Sequence, residues 1–201
     1  MTGGIAGSSL AYHLSQSEPP LRVVLLDAAS LGSEATGLSA GTFWSAGHAS
    51  KARAAAGLFD ADCEVQAHSA RLYAQVQRAG FECGLVQSGN LTLARSAAER
   101  AHLVREHAHL HGLGYRALLL CNAAAVEQAE PALRGGNSVA ALWTLESGYV
   151  EPLLACRSIA EAAAARGSST LLREDEGVVH LGCDEGGSGS EDEGAGGRRI
   201  E

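Results

Sequence analysis

The sequence predicts an α/β fold in which the first and last parts of the chain share one parallel sheet, with an α+β block inserted between them. Three observations carry this prediction. A glycine turn at Gly3, Gly4 and Gly7 runs straight into a helix, and a short apolar run, Leu21 to Asp27, follows and ends on an acid. After residue 57 the pattern changes to short alternating strands and amphipathic helices, before a helix and strands return near the end. The expected division is therefore residues 1–57 and 146–201 for the interrupted parallel-sheet part and 58–145 for the insertion.

Each element has a local reason. Ile5, Leu10, Tyr12 and Leu14 lie among small residues, which suits a helix packed closely on a sheet, and Pro19-Pro20 ends it. Leu21 to Leu26 is almost continuously apolar, the pattern of a strand buried on both faces. Gly32 to Gly47 is rich in Gly, Ser, Thr and Ala and reads as a loop. Asp60 or Asp62 then caps a helix reaching Ala79, with Val65, Leu72 and Val76 as one apolar stripe.

Leu85-Val86 and Asn90 to Ala94 flank Gln87-Ser88-Gly89, which predicts a hairpin. Further on, the spacing predicts a helix from Ser96 to about His111, a strand at 117–120, a short helix at 123–128 before Glu130-Pro131, and a strand at 139–145. Pro152 suits the first turn of a helix running to Arg166, with Gly167 as its stop. Strands at 169–172 and 177–181 follow, then a glycine- and acid-rich loop at 186–193.

Bulk properties exclude several classes of function. A net charge of -8, with no basic cluster beyond Arg198-Arg199, excludes a nucleic-acid partner. The five cysteines are scattered, with no C-x-x-C, so neither a zinc knuckle nor a disulfide framework is indicated. No stretch reaches the ~18 apolar residues that a membrane helix needs. His107 and His111 are spaced to share a metal, yet no third ligand is placed beside them, and they read as a polar helix face. No metal site is expected.

A glycine turn at a helix N-terminus binds pyrophosphate because residues without a β-carbon let backbone N–H groups approach, while the helix dipole favours negative charge. In the pattern G-x-G-x-x-G, Gly4 and Gly7 take the third and sixth positions, and Thr2 stands at the first. Asp27 lies 20 residues beyond Gly7, where an acid takes ribose hydroxyls. These features predict a Rossmann-like dinucleotide site.

Four stretches in order resemble the FAD-dependent D-amino-acid oxidase superfamily, which includes glycine oxidase and the sarcosine and dimethylglycine dehydrogenases. They are Gly3 to Leu14, Ala35 to Gly41, Ser88 to Ala94 and Ser147 to Pro152. The resemblance implies a FAD-binding fold of the glutathione-reductase type with an inserted α+β substrate-domain portion. It further implies that Gly4 and Gly7 face the pyrophosphate, that Ser8 adds a hydroxyl, and that Asp27 holds the adenosine ribose. Thr36, Ser39, Ala40 and Gly41 are implied along the pyrophosphate and ribityl chain, and Val178 is implied at the adenine. The activity implied is oxidation of a C–N bond in a small amino acid or N-methylated amine.

Two departures qualify this. In the sarcosine and dimethylglycine dehydrogenases a flavin-linked histidine follows the Trp of a similar stretch, whereas Ser45 follows Trp44 here, so FAD is expected to be non-covalent. His48 is not at the matching position. No carboxylate clamp is evident: Arg53 and Tyr115 read as surface residues, and catalytic residues are unassigned. The chain is expected to be truncated at both ends, which leaves cytoplasmic and mitochondrial locations open, and the oligomeric state with them. A nicotinamide-dependent dehydrogenase and a non-catalytic dinucleotide-binding fragment remain alternatives.

Overall fold

Two segments more than 140 residues apart in the chain, 23–26 and 170–173, form one parallel ladder in the computed structural model, which describes residues 3–47, 57–166 and 170–175. In chain order the elements are α1 (Ile5–Leu14), β1 (Val23–Leu26), β2 (Thr42–Phe43), α2 (Phe59–Arg78), β3 (Asn90–Ala94) and α3 (Ala97–Gly112). They continue with β4 (Ala117–Leu120), α4 (Ala123–Ala129), a 3-10 turn (Pro131–Leu133), β5 (Ala140–Thr144), β6 (Gly148–Tyr149), α5 (Pro152–Arg166) and β7 (Thr170–Arg173). The expected strand at 177–181 and the acidic loop lie outside the described residues.

The expected return of the chain to its first strand is what the ladder shows. Val23 pairs with Thr170 and Leu26 with Arg173. Burial of β1 is one-sided: Val23 and Leu25 are buried, whereas Val24 and Leu26 are half-buried. Helix α1 packs on α5, where Ala155, Ala160, Ala162 and Ala163 are buried beside Ala11, Tyr12 and Ile159. The alanines therefore bring two helices together. The Arg166 guanidinium closes the contact, 4.9 Å over the Tyr12 ring.

The middle of the chain carries an antiparallel sheet of order β3-β5-β4, with Asn90 opposite Thr144 and Ala117 opposite the same residue on the other side. The hairpin expected across Gln87-Ser88-Gly89 does not form. Val86 instead pairs with Tyr149 of β6, exchanging two backbone hydrogen bonds at 2.9 and 3.0 Å, while β3 pairs with β5. Alternation assigns a strand its two faces but not its partner.

Helix α2 packs on two apolar clusters. Cys63 joins Leu103, Leu110 and Leu142, whereas Leu72 and Val76 join Leu25, Tyr12 and Ile159. The expected stripe is corrected at Val65, which is 67% exposed; the buried side runs through Cys63, Ala67, Ala70, Leu72 and Val76. Neither Asp60 nor Asp62 caps the helix. Leu58 holds the N-cap without a side-chain bond, and both acids sit in the first turn, where the helix dipole favours them. The next helix is capped as its sequence suggests: Ser96 Oγ accepts from the Glu99 N–H at 3.2 Å, and Glu99 Oε2 accepts from the Arg95 N–H at 2.6 Å.

Candidate functional site: the cleft at the N-terminus of the first helix

Helix α1 begins at Ile5 with Gly4 as its N-cap, and no Gly4 side chain can satisfy its first donors. Thr36 Oγ1 accepts the Ile5 N–H at 3.0 Å, and Ser8 is the first residue whose N–H reaches back within the chain, to the Gly4 carbonyl at 2.9 Å. The N–H groups of Ala6 and Gly7 lie between them, without helix carbonyls to reach. A β-carbon on Gly4 would stand 3.1 Å from Thr36 Oγ1, a tight contact that glycine avoids.

The end of β1 meets the same turn. A β-carbon on Gly3 would stand 2.6 Å from Asp27 Oδ2. The other carboxylate oxygen accepts the Ala29 N–H at 3.0 Å, which holds the acid at the strand end. Gly3 is fastened from two further sides. Its carbonyl accepts the Gly32 N–H at 3.0 Å and the Cys156 thiol at 3.2 Å. Burial pushes the Cys156 thiol pKa up, so the sulfur keeps the proton it donates.

The loop after Gly32 and the turn before α5 close the cleft. Gly41 has φ +67, its carbonyl accepts the Val150 N–H at 3.0 Å, and a β-carbon there would run into the Val150 carbonyl oxygen. The adjoining residues pair as strands, Thr42 with Tyr149 and Phe43 with Gly148. The result is a cavity of about 200 Å³ lined by Ile5, Thr36, Ser39, Ala40, Gly41, Tyr73, Val150 and Pro152, among others. Ser88 to Ala94 joins the same neighbourhood, since the Gly89 N–H donates to the Ser147 carbonyl at 2.8 Å. All four stretches singled out in the sequence thus lie side by side.

Of the residues expected at the site, Thr36, Ser39, Ala40 and Gly41 line the cavity, whereas Gly4 and Asp27 do not: Gly4 stands beside Thr36, and Asp27 beside Gly3. Gly7 and Ser8 are buried, and the Ser8 hydroxyl lies 3.3 Å from Cys156 Sγ on α5. Val178, Arg53 and His48 lie outside the described residues. Tyr115 is half-buried against the apolar cluster of Leu103, Leu110 and Leu142 and does not line the cleft. Ser45 is buried in a hydroxyl cluster: its N–H donates to Ser147 Oγ at 2.9 Å, and Ser147 lies 2.9 Å from Thr144 Oγ1. Tyr73 lines the cleft from α2, a position that the sequence offered only as a helix residue.

The chain matches the family model described as FAD dependent oxidoreductase over residues 3–199. The mouse protein Pyruvate dehydrogenase phosphatase regulatory subunit, mitochondrial, is 28% identical over 180 residues, which is 89% of this chain and 19% of that protein. Among solved structures, glycine oxidase from Bacillus cereus superposes with a TM-score of 0.67 at 23% identity, covering 92% of this chain and 47% of the enzyme. L-proline dehydrogenase from P. horikoshii superposes with a TM-score of 0.70 at 21% identity, covering 87% of this chain and 42% of that enzyme. The chain spans less than half the length of each of these three relatives. On the extent of the family match, this chain belongs to the FAD-dependent oxidoreductase family.

Proposed function

We propose that the cleft at the α1 N-terminus binds FAD without a covalent bond, and that the whole protein oxidises the C–N bond of a small amino acid or N-methylated amine. The single observation that carries this is the convergence of the glycine turn, the Asp27 strand end and the Thr36 to Gly41 loop. The residues fit the group. Glycine at 4 keeps the helix donors approachable, Thr36 and Ser39 supply hydroxyls, and Gly41 is a place that any β-carbon would fill.

In this reading Gly4, Gly7 and Thr36 hold the pyrophosphate, Asp27 takes the adenosine ribose, and Ser39, Ala40 and Gly41 run beside the ribityl chain. Ser8 stands behind the turn through its contact with Cys156, and Val178 is the proposed adenine neighbour. When bound, FAD supplies the two-electron acceptor for hydride leaving the carbon beside the substrate nitrogen. Residues 58–145 are the proposed substrate-domain portion, and 1–57 with 146–201 the cofactor part.

A second reading, in which the protein binds FAD but oxidises nothing, is favoured by the cleft itself. Among the described residues that line it none is charged, whereas a substrate carboxylate is typically clamped by a charged group. The mouse relative is named a regulatory subunit, which agrees with that reading. It is also mitochondrial by name, and we extend that compartment to this chain as part of the proposal.

The test is retention of flavin. Gel filtration of the 201-residue chain after mixing with FAD is expected to carry the visible flavin absorption with the protein. Asp27→Ala is expected to weaken FAD binding about tenfold, the scale of a lost hydrogen bond to a charged group. Flavin that passes through unretained, with thermal protection by NAD instead, overturns the reading in favour of a nicotinamide site. Bleaching of the bound flavin by anaerobic glycine, sarcosine or proline decides for oxidation over binding alone.

A further inference from the structure

Two cavities flank one aromatic side chain. The first is the cleft described above. The second, of about 180 Å³, lies between α1, α2 and α5 and is lined by Ala6, Ser9, Ser69 and Ile159 among others. Ile5 and Tyr73 belong to the walls of both, so together they form the partition.

Tyr73 is half-buried on α2, packed against the main apolar cluster. Its ring centroid lies 5.4 Å from that of Phe43 at an interplanar angle of 44°, an ordinary tilted aromatic contact. Phe43 sits on β2, directly after the Gly41 loop, so the strand that closes the cleft also orients the ring. The hydroxyl makes no hydrogen bond with a described residue and is not among the buried polar atoms that lack a partner, so it is open to the solvent-filled space beside it. Burial raises the phenol pKa above its ordinary value of 10.0, so the group is a protonated donor at neutral pH.

We propose that Tyr73 is a cofactor-binding residue, whose hydroxyl donates a hydrogen bond to the ribityl or flavin part of FAD while its ring seals the cleft from the second cavity. The proposal rests on the reading of the cleft as a FAD site. The ribityl and flavin end is favoured over the adenosine end because Tyr73 shares the cleft wall with Gly41, Val150 and Pro152, whereas Asp27 lies outside that wall at Gly3.

Tyr73→Phe removes the hydroxyl and keeps the ring on Phe43. In the full chain without cofactor, it is expected to leave the melting temperature unchanged, because no protein hydrogen bond is lost. Its dissociation constant for FAD is expected to rise about three- to tenfold, the scale of one hydrogen bond. Its affinity for ADP, which carries no ribityl or flavin group, is expected to stay at the wild-type value. Equal FAD affinity in Tyr73→Phe and wild type overturns this proposal alone. An equal loss of FAD and ADP affinity also overturns it, by moving Tyr73 to the adenosine end. Failure of the wild-type chain to bind FAD overturns both this proposal and the reading beneath it.

Discussion

Replacing Gly41 by alanine tests the closure of the cleft and its stability together. Two costs combine. At φ +67 a residue with a β-carbon pays about 1–2 kcal/mol for the left-handed backbone. The new β-carbon also meets the Val150 carbonyl oxygen well inside contact distance and stands 3.0 Å from Pro152 Cγ. Relief means moving the loop off the turn, which loosens the hydrogen bond from the Val150 N–H to the Gly41 carbonyl, at about 0.5–1.5 kcal/mol. The sum is roughly 1.5–3.5 kcal/mol, and for a domain of this size that lowers Tm by about 3–14 °C. Gly114→Ala is the control, since Gly114 has φ +83 and nothing within 4 Å of an added β-carbon. It carries the backbone cost alone, about 1–2 kcal/mol. Thermal denaturation of both variants by circular dichroism measures the difference, and FAD retention is expected to fail only in Gly41→Ala. Equal drops in Tm with FAD binding intact in both would refute the account of Gly41 as a packed cofactor-loop glycine.

Two further predictions concern helix α3. Glu106, on α3, is largely buried against Gly47, and burial raises its pKa above the ordinary 4.5 despite the opposing pull of His102. A raised carboxyl favours the folded state below 4.5 and loses that contribution as pH climbs through the folded value. Glu106→Gln should therefore be more stable than wild type at neutral pH, with the advantage vanishing below about pH 4.5, as urea unfolding at several pH values will reveal. An advantage that persists at low pH would show that packing, not charge, is responsible. Ser96→Ala removes the α3 cap and is expected to cost about 1 kcal/mol, or roughly 2–4 °C in Tm. A change under half a degree would mean that Glu99 alone holds the helix start.

Much of this protein is legible in its sequence, where the signal is carried by neighbours in the chain. Pro152 to Arg166 is a helix over the span its proline start suggests, Ser96 caps the next helix as its spacing with Glu99 indicates, and the apolar run before Asp27 is a strand. The glycine turn and Asp27 likewise announce their meeting, because a turn, a helix and a strand of those lengths leave the chain little choice. Partnership between distant segments is another matter. That Val86 pairs with Tyr149 rather than with Asn90 to Ala94, that Ser8 faces Cys156, and that Tyr73 from α2 walls the cleft were decided only in the tertiary structure. The physical reason is that periodicity and capping act over a few residues, while pairing and cavity walls depend on which surfaces bury each other best across more than sixty, and no local pattern records that competition.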